Sequence, residues 1–199
     1  MNIGFLASHR GSNMQAVIEA CRSGVLAAKP GVLICNNRHA EAVVRAGEAG
    51  VPAYVVNAVT HPAPDVRDLA MLDVLQRHGC DLIVLAGYMK KIGPRVLSAF
   101  AGRILNLHPA LLPKFGGQGM YGRAVHEAVL IAGEKVTGVT IHLVNENYDE
   151  GRILAQCEVA VDSDDTVETL AARVLAREHA FLVETLQAIA KGRIPLAKA

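Results

Sequence analysis

"DLIVLAGYMKKIGPRVLSAFAGRILNLHP", residues 81–109, decides how this chain folds. Two short apolar runs, "DLIVLAG" (81–87) and "RILNL" (103–107), flank one helical pattern, "GPRVLSAFAG" (93–102). Near-continuous apolar runs predict strands covered on both faces, and a helix between two of them makes the pair parallel. The second run also carries a conflict. Successive side chains of a strand point to opposite faces, so Asn106 and His108 share one face while Leu105 and Leu107 share the other. Pro109 has no amide hydrogen and marks where ladder pairing ends. Two polar groups therefore look out together from the end of an apolar strand. Either could be a core polar group satisfied by hydrogen bonds, and for a lone histidine that bland reading is the commoner one.

The same alternation runs outward from this unit. Strands are expected over "NIGFLAS" (2–8), "GVLICNN" (31–37) and "AYVVNA" (53–58). Helices are expected over "SNMQAVIEACRSG" (12–24), "AEAVVRAGEAG" (40–50) and "DVRDLAMLDVLQRHG" (65–79). The pattern implies an α/β fold, a Rossmann-like, mostly parallel sheet with helices on both faces. After about residue 115 it changes to a Gly-rich loop, a helix over "RAVHEAVLIAG" (123–133), strands near 136–145 and 153–161, and a long C-terminal helix. This predicts an antiparallel C-terminal part. Residues 1–199 are read as one domain, with a βα half over 1–100 and a second half over 101–199.

Composition narrows the function classes. The 199 residues suffice for one domain with a sizeable core, which must be aliphatic because there is no Trp and aromatics are 4%. A formal net charge of +1 gives no global sign of a nucleic-acid or membrane partner. Cys21, Cys35, Cys80 and Cys157 never form a CxxC pair, which argues against a zinc site and a disulfide framework and fits a reducing cytoplasm. The N-terminus has no signal-peptide pattern, and no run reaches the roughly 18 apolar residues of a membrane span. The expectation is a soluble, cytoplasmic protein without a metal.

Two further segments could carry chemistry. "SHRGSNMQA" puts Gly11, Ser12 and Asn13 at a helix start, where free amides and the helix dipole favour an anion and Gly lets a phosphate approach. Simple capping by Ser12 or Asn13 is an equal alternative from spacing alone. Neither GxGxxG nor GxxxxGK[ST] is present, which leaves nicotinamide and Walker-type sites poorly supported. In "VTGVTIHLVNENYDEGRILAQ" (136–156), Val139, Ile141 and Leu143 alternate with Thr140 and His142, and Asp149 follows in a turn that ends at Gly151. Asp in such turns usually bonds nearby amides, and His142 reads as structural. Asp149 gains interest only if its loop meets the strand end at Asn106 and His108.

The ordered set "GSN", "LAGYM" (85–89), "LNLHPALLP", "GVTIH…YDEG" and "REHAF" spans nearly the whole chain. It resembles the phosphoribosylglycinamide formyltransferases, within the folate-dependent formyltransferase superfamily. That resemblance implies transfer of a formyl group from 10-formyltetrahydrofolate, a co-substrate, to the primary amine of glycinamide ribonucleotide in purine biosynthesis. It implies a catalytic triad of Asn106, His108 and Asp149. Asn106 and His108 would stabilise the oxyanion, and Asp149 would keep His108 charged and hold a water for proton transfer.

The resemblance also assigns binding residues. Gly11, Ser12 and Asn13 would hold the ribonucleotide phosphate, and Glu178 would contact the same substrate. Met89, Lys90, Lys91 and Ile92 would line the folate pocket beside Asn106. The loop of Val144, Asn145, Glu146, Asn147 and Tyr148 would clasp the pterin. Gly116, Gly117, Gly119 and Gly122 make "KFGGQGMYG" either a mobile flap or an ordinary flexible connection. The implied partners are small molecules, with no nucleic acid, no membrane and a homodimer left open.

Four positions depart from the family pattern. Ala110 replaces a common Ser, His9 and Arg10 replace smaller or uncharged residues, and Pro64 stands where a basic residue is common, with Arg67 a turn later. Among alternatives, a methionyl-tRNA formyltransferase would be expected to add a C-terminal nucleic-acid-binding domain. A formyltetrahydrofolate hydrolase would be expected to add an N-terminal regulatory one. An inert nucleotide- or folate-binding protein on the same scaffold is the alternative of a different class.

Overall fold

The computed structural model describes residues 1–197. Strands β1 (Asn2–Ala7), β2 (Lys29–Cys35), β3 (Ala53–Val55), β4 (Leu82–Leu85) and β5 (Ile104–His108) alternate with helices α1 (Ser12–Arg22), α2 (Glu41–Glu48), α3 (Pro64–Arg77) and α4 (Pro94–Ala99). Helix α5 (Arg123–Ile131), strands β6 (Val136–Leu143) and β7 (Ile153–Ala160), and helix α6 (Val167–Ala190) follow. All the strands join one seven-stranded sheet in the order β3-β2-β1-β4-β5-β6-β7. The pairs up to β4–β5 are parallel, and β5–β6 and β6–β7 are antiparallel.

The period of two along each strand builds two cores. Ile3, Phe5 and Ala7 of β1 pack with Met14, Ala42 and Leu182 from α1, α2 and α6. Leu6 points the other way, into a cluster with Leu75 of α3 and Val96 of α4. In β5, Leu105 joins the first cluster and Ile104 the second. Asn106 and His108 therefore lie on the α3/α4 side, as the alternation predicts.

Strand order reverses between β1 and β4. In an open α/β sheet this is where the outgoing loops part and leave a crevice at the carboxyl ends of the strands. Here the two loops are tied together. The Ser8 amide donates to the Gly87 carbonyl at 3.1 Å, and the Met89 amide donates to Ser8 Oγ at 2.8 Å. The next loop is fixed from β6, where Thr140 Oγ1 donates to the Ala110 carbonyl at 2.7 Å and accepts from the Leu112 amide at 3.0 Å. Ala110 is fully buried there, so the position leaves no exposed hydroxyl to replace.

Some boundaries differ from the apolar runs. β3 stops at Val55, because Asn57 Oδ1 accepts from the amides of Val59 (2.9 Å) and Thr60 (3.0 Å) and turns the chain. β5 runs one residue further, since His108 still pairs with Thr140 before Pro109. Pro64 opens α3, and the Arg67 guanidinium is used locally, donating to the carbonyls of His61 (2.9 Å) and Pro62 (2.6 Å).

Gly151 closes the β6–β7 connection so tightly that a Cβ would overlap the Leu143 carbonyl. A backbone oxygen in a paired strand cannot step aside. Gly151→Ala should lower unfolding free energy by about 1–3 kcal/mol, measured by denaturant titration. A midpoint equal to that of the parent would refute this close-approach constraint.

Candidate active site

The β5–β6 register sets Asn106 opposite His142 and His108 opposite Thr140. The connection after β6 then folds back, with Asp149 in a left-handed conformation at φ 58°, a region that Asp tolerates better than most residues. Its Oδ2 lies 3.4 Å from His108 Nδ1 and its Oδ1 lies 3.4 Å from His142 Nε2. The Gly117 amide donates to Oδ2 at 3.0 Å. The loop thus meets the strand end, the condition under which Asp149 becomes more than a turn residue.

His142, read as structural in the sequence, is the residue that sequence reasoning missed. Its Nδ1 lies 2.9 Å from the Leu143 carbonyl, so it must donate there. In the neutral ring Nε2 is then an acceptor, and the Asn106 amide donates to it at 3.1 Å. That contact fixes which way the Asn106 amide points. The only advance signal was alternation: His142 shares a strand face with Thr140, opposite the polar face of β5.

Charge in this cluster is set by competing effects. Burial pushes the His108 imidazole below its ordinary value, while Asp149 and the Phe115 carbonyl pull it up and His142 lowers it further. Burial wins. The expectation that Asp149 keeps this ring charged is corrected accordingly, because the carboxylate opposes burial without overcoming it. For Asp149 the balance reverses. Burial raises its carboxyl, but the neighbouring His142 ring and the hydrogen bond from the Gly117 amide, with the field of His108, bring it below the usual range.

In the first-loop segment neither Ser12 nor Asn13 caps the helix with its side chain. Gly11 is the N-cap of α1 at φ 64°, and no side chain among the described residues caps the helix. A Cβ at Gly11 would also sit 2.7 Å from Ala42 Cβ. Glycine is therefore required by backbone conformation and helix packing as well as by any ligand. Asn13 donates from Nδ2 to Glu178 Oε2 at 2.9 Å, and its buried Oδ1 has no partner among the described residues. Arg10 is exposed and 4.0 Å from Glu41.

A cleft of about 490 Å³ opens beside the Asn106–His142–Asp149 cluster. Lys90, Lys91, Ile92 and Asn106 line it together with the loop from Val144 to Tyr148. His142 and Asp149 form its inner wall, and Leu85 and Tyr88 add surface that the sequence reading did not assign. Burial pushes the Tyr88 hydroxyl up to about 12, which keeps it a neutral donor. Met89 stands apart from this lining, being 40% exposed with its amide bound to Ser8. The loop from Val144 to Tyr148 is braced by its own polar groups, Asn145 Oδ1 accepting from the Asn147 amide at 3.0 Å. Among the described residues no helix is long and apolar enough to cross a membrane.

A parallel sheet that ends in an amide–imidazole–carboxylate cluster beside such a cleft defines a class, and comparison supplies it: the family model described as formyl transferase matches residues 1–186, and the chain belongs to that family. Within it, the chain is 43% identical to the chloroplastic phosphoribosylglycinamide formyltransferase of Arabidopsis thaliana, over 96% of this chain and 66% of that protein. It is 39% identical to the phosphoribosylglycinamide formyltransferase of Haemophilus influenzae, over 98% and 89%. The crystal structure of glycinamide ribonucleotide transformylase 1 from Symbiobacterium toebii superposes with a TM-score of 0.91 at 38% identity, covering 99% of this chain and 91% of that one. The chain thus spans just under two thirds of the Arabidopsis relative's length.

Glu178 gives a test of this electrostatic reading. It is 8% exposed, and burial raises its carboxyl above the ordinary value of 4.5, with Asn13 pulling it partly back. The folded state holds this proton better than the unfolded chain does. Its stability contribution is therefore full below about pH 4.5 and is lost as pH rises through the raised value. Glu178→Gln, always neutral, should gain stability relative to the parent more at pH 8 than at pH 5. Denaturation midpoints at both pH values decide this, and an equal difference at the two would sink it.

Proposed function

We propose that this chain transfers the formyl group of 10-formyltetrahydrofolate to the amine of glycinamide ribonucleotide, the reaction for which its relatives are named. The observation that carries this reading is the meeting of three side chains at the 490 Å³ cleft: Asn106 and Asp149 line it, and Asp149 Oδ2 lies 3.4 Å from the Nδ1 of buried His108 behind them. The amides at Gly11, Ser12 and Asn13 suit the ribonucleotide phosphate, and Glu178 suits a polar group of the same substrate. Lys90, Lys91 and Ile92 with the loop from Val144 to Tyr148 suit the folate. In this reading residues 1–199 act as one domain, in the cytoplasm, on small molecules alone.

The chemistry follows from the side chains. The neutral amine attacks the formyl carbon, a C–N bond forms, and negative charge moves onto the formyl oxygen. Asn106, oriented by His142, donates a neutral hydrogen bond there, and His108 offers the second donor. Growing charge on the oxygen adds to the pull of Asp149, so the proton that the attacking amine releases is held for the moment on His108, which thereby becomes the charged donor. Collapse breaks the bond to the folate nitrogen. The proton released by the amine passes, by way of Asp149 or a water that it holds, to that nitrogen.

Purified protein given 10-formyltetrahydrofolate should release tetrahydrofolate only when glycinamide ribonucleotide is present. Equal release without it would indicate a hydrolase, and none in either case an inert binding protein. Activity should persist after exhaustive chelation, and recovery only on adding zinc or magnesium would overturn the mechanism. Asp149→Asn should lower kcat by about 10²–10³-fold. The double change with His108→Ala should fall scarcely further, because residues of one catalytic unit are non-additive. Independent, multiplying losses would separate the two roles.

A further inference from the structure

His108 has an acceptor on each side of its ring. Nε2 lies 2.7 Å from the Phe115 carbonyl, and Nδ1 lies 3.4 Å from Asp149 Oδ2. A carbonyl oxygen can only accept, so at 2.7 Å the proton must sit on Nε2; a bare Nε2 would set lone pair against lone pair. The Asp149 contact is long enough to persist with or without a proton on Nδ1. An uncommon backbone brings the carbonyl there, since Phe115 sits at φ 58°, the left-handed region that non-glycine residues mostly avoid. Two residues on, the Gly117 amide donates to Asp149 Oδ2, the same oxygen that faces Nδ1. The glycine-rich flap thus touches both catalytic partners through its main chain.

We propose that the flap backbone selects the working nitrogen of His108: the Phe115 carbonyl pins one proton on Nε2, leaving Nδ1, beside Asp149, as the position that takes up and gives back the mobile proton. The proposal rests on the formyl-transfer reading and deepens it. Phe115 is a positioning residue, acting by its carbonyl rather than its ring. The groups whose charge the imidazole feels are Asp149 from the β6–β7 loop, His142 from β6 and His126 from α5. Of these, only Asp149 favours a charged ring, so the Phe115 carbonyl is its one ally. Displacing the flap should release Nε2, lower the ring's titration midpoint and free Asp149 from Gly117 in a single movement.

The test uses the full chain labelled with ¹⁵N-histidine, without substrates, and reads the ring nitrogens of His108 across pH. In the parent, the neutral ring should be protonated at Nε2 and bare at Nδ1. Phe115→Asn tolerates the left-handed backbone and should keep that pattern despite losing the ring. Phe115→Val, β-branched and averse to positive φ, should mix the two tautomers. It should also lower the midpoint and reduce kcat at least about tenfold, with KM for the ribonucleotide little changed. A neutral ring protonated at Nδ1 in the parent overturns the proposal, and that measurement needs no variant to fold. So does a Val variant with the parent pattern, or an Asn variant that alone loses it, which would assign the role to ring packing. If the Nε2 pattern holds but the parent transfers no formyl group, the functional reading fails and the assignment of the nitrogen stands.

Discussion

The antiparallel pairing of β5 with β6 is the constraint on which the site depends. It sets Asn106 against His142 and His108 against Thr140. A slip of one residue would turn every side chain of the strand to the other face. Leu105 and Ile141, both fully buried in the core beneath α1 and α6, forbid that slip, because it would exchange them for polar groups. The hydrophobic core thus sets the chemistry indirectly. The same pairing places Thr140 to hold the carbonyl of Ala110 and the amide of Leu112, so the chain leaves β5 in a fixed direction.

Burial and pairing pull against each other at three titratable groups, with different outcomes. For His108 and Glu178 burial prevails, and each is biased toward its neutral form. For Asp149, one amide hydrogen bond and two neighbouring imidazoles outweigh burial, and the carboxylate stays charged. A single anion flanked by two rings is a more economical arrangement than three buried charges, each of which would need its own partner. Such a cluster can rearrange protons without building or losing a large net charge.

Much of this was legible in the sequence, for identifiable reasons. Period-two alternation placed the strands and put Asn106 and His108 on one face, because only one pattern buries Leu105. Glycine at position 11 signalled the helix start, though the need for it on the side of Ala42 is a packing fact that no spacing reveals. The approach of Asp149 to β5 depends on how a loop folds back in three dimensions, so only the family resemblance suggested it. His142 was passed over because a histidine in an apolar strand is usually structural, and its partner Asn106 is 36 residues away in the chain. The balance of charge at His108 was misjudged, since sequence shows the neighbouring carboxylate but not how dry the ring is.

The bond between Asn13 and Glu178 joins positions 165 residues apart, one on the first helix and one on the last. During synthesis, the amino-terminal strands can emerge and begin to pair long before α6 leaves the ribosome. Until that helix docks across α1, the first loop lacks its acidic wall. A nascent or truncated chain could therefore hold a nearly complete sheet yet lack the acidic partner of Asn13 at its first turn. The first turn is thus completed by a helix made long after the strands around it.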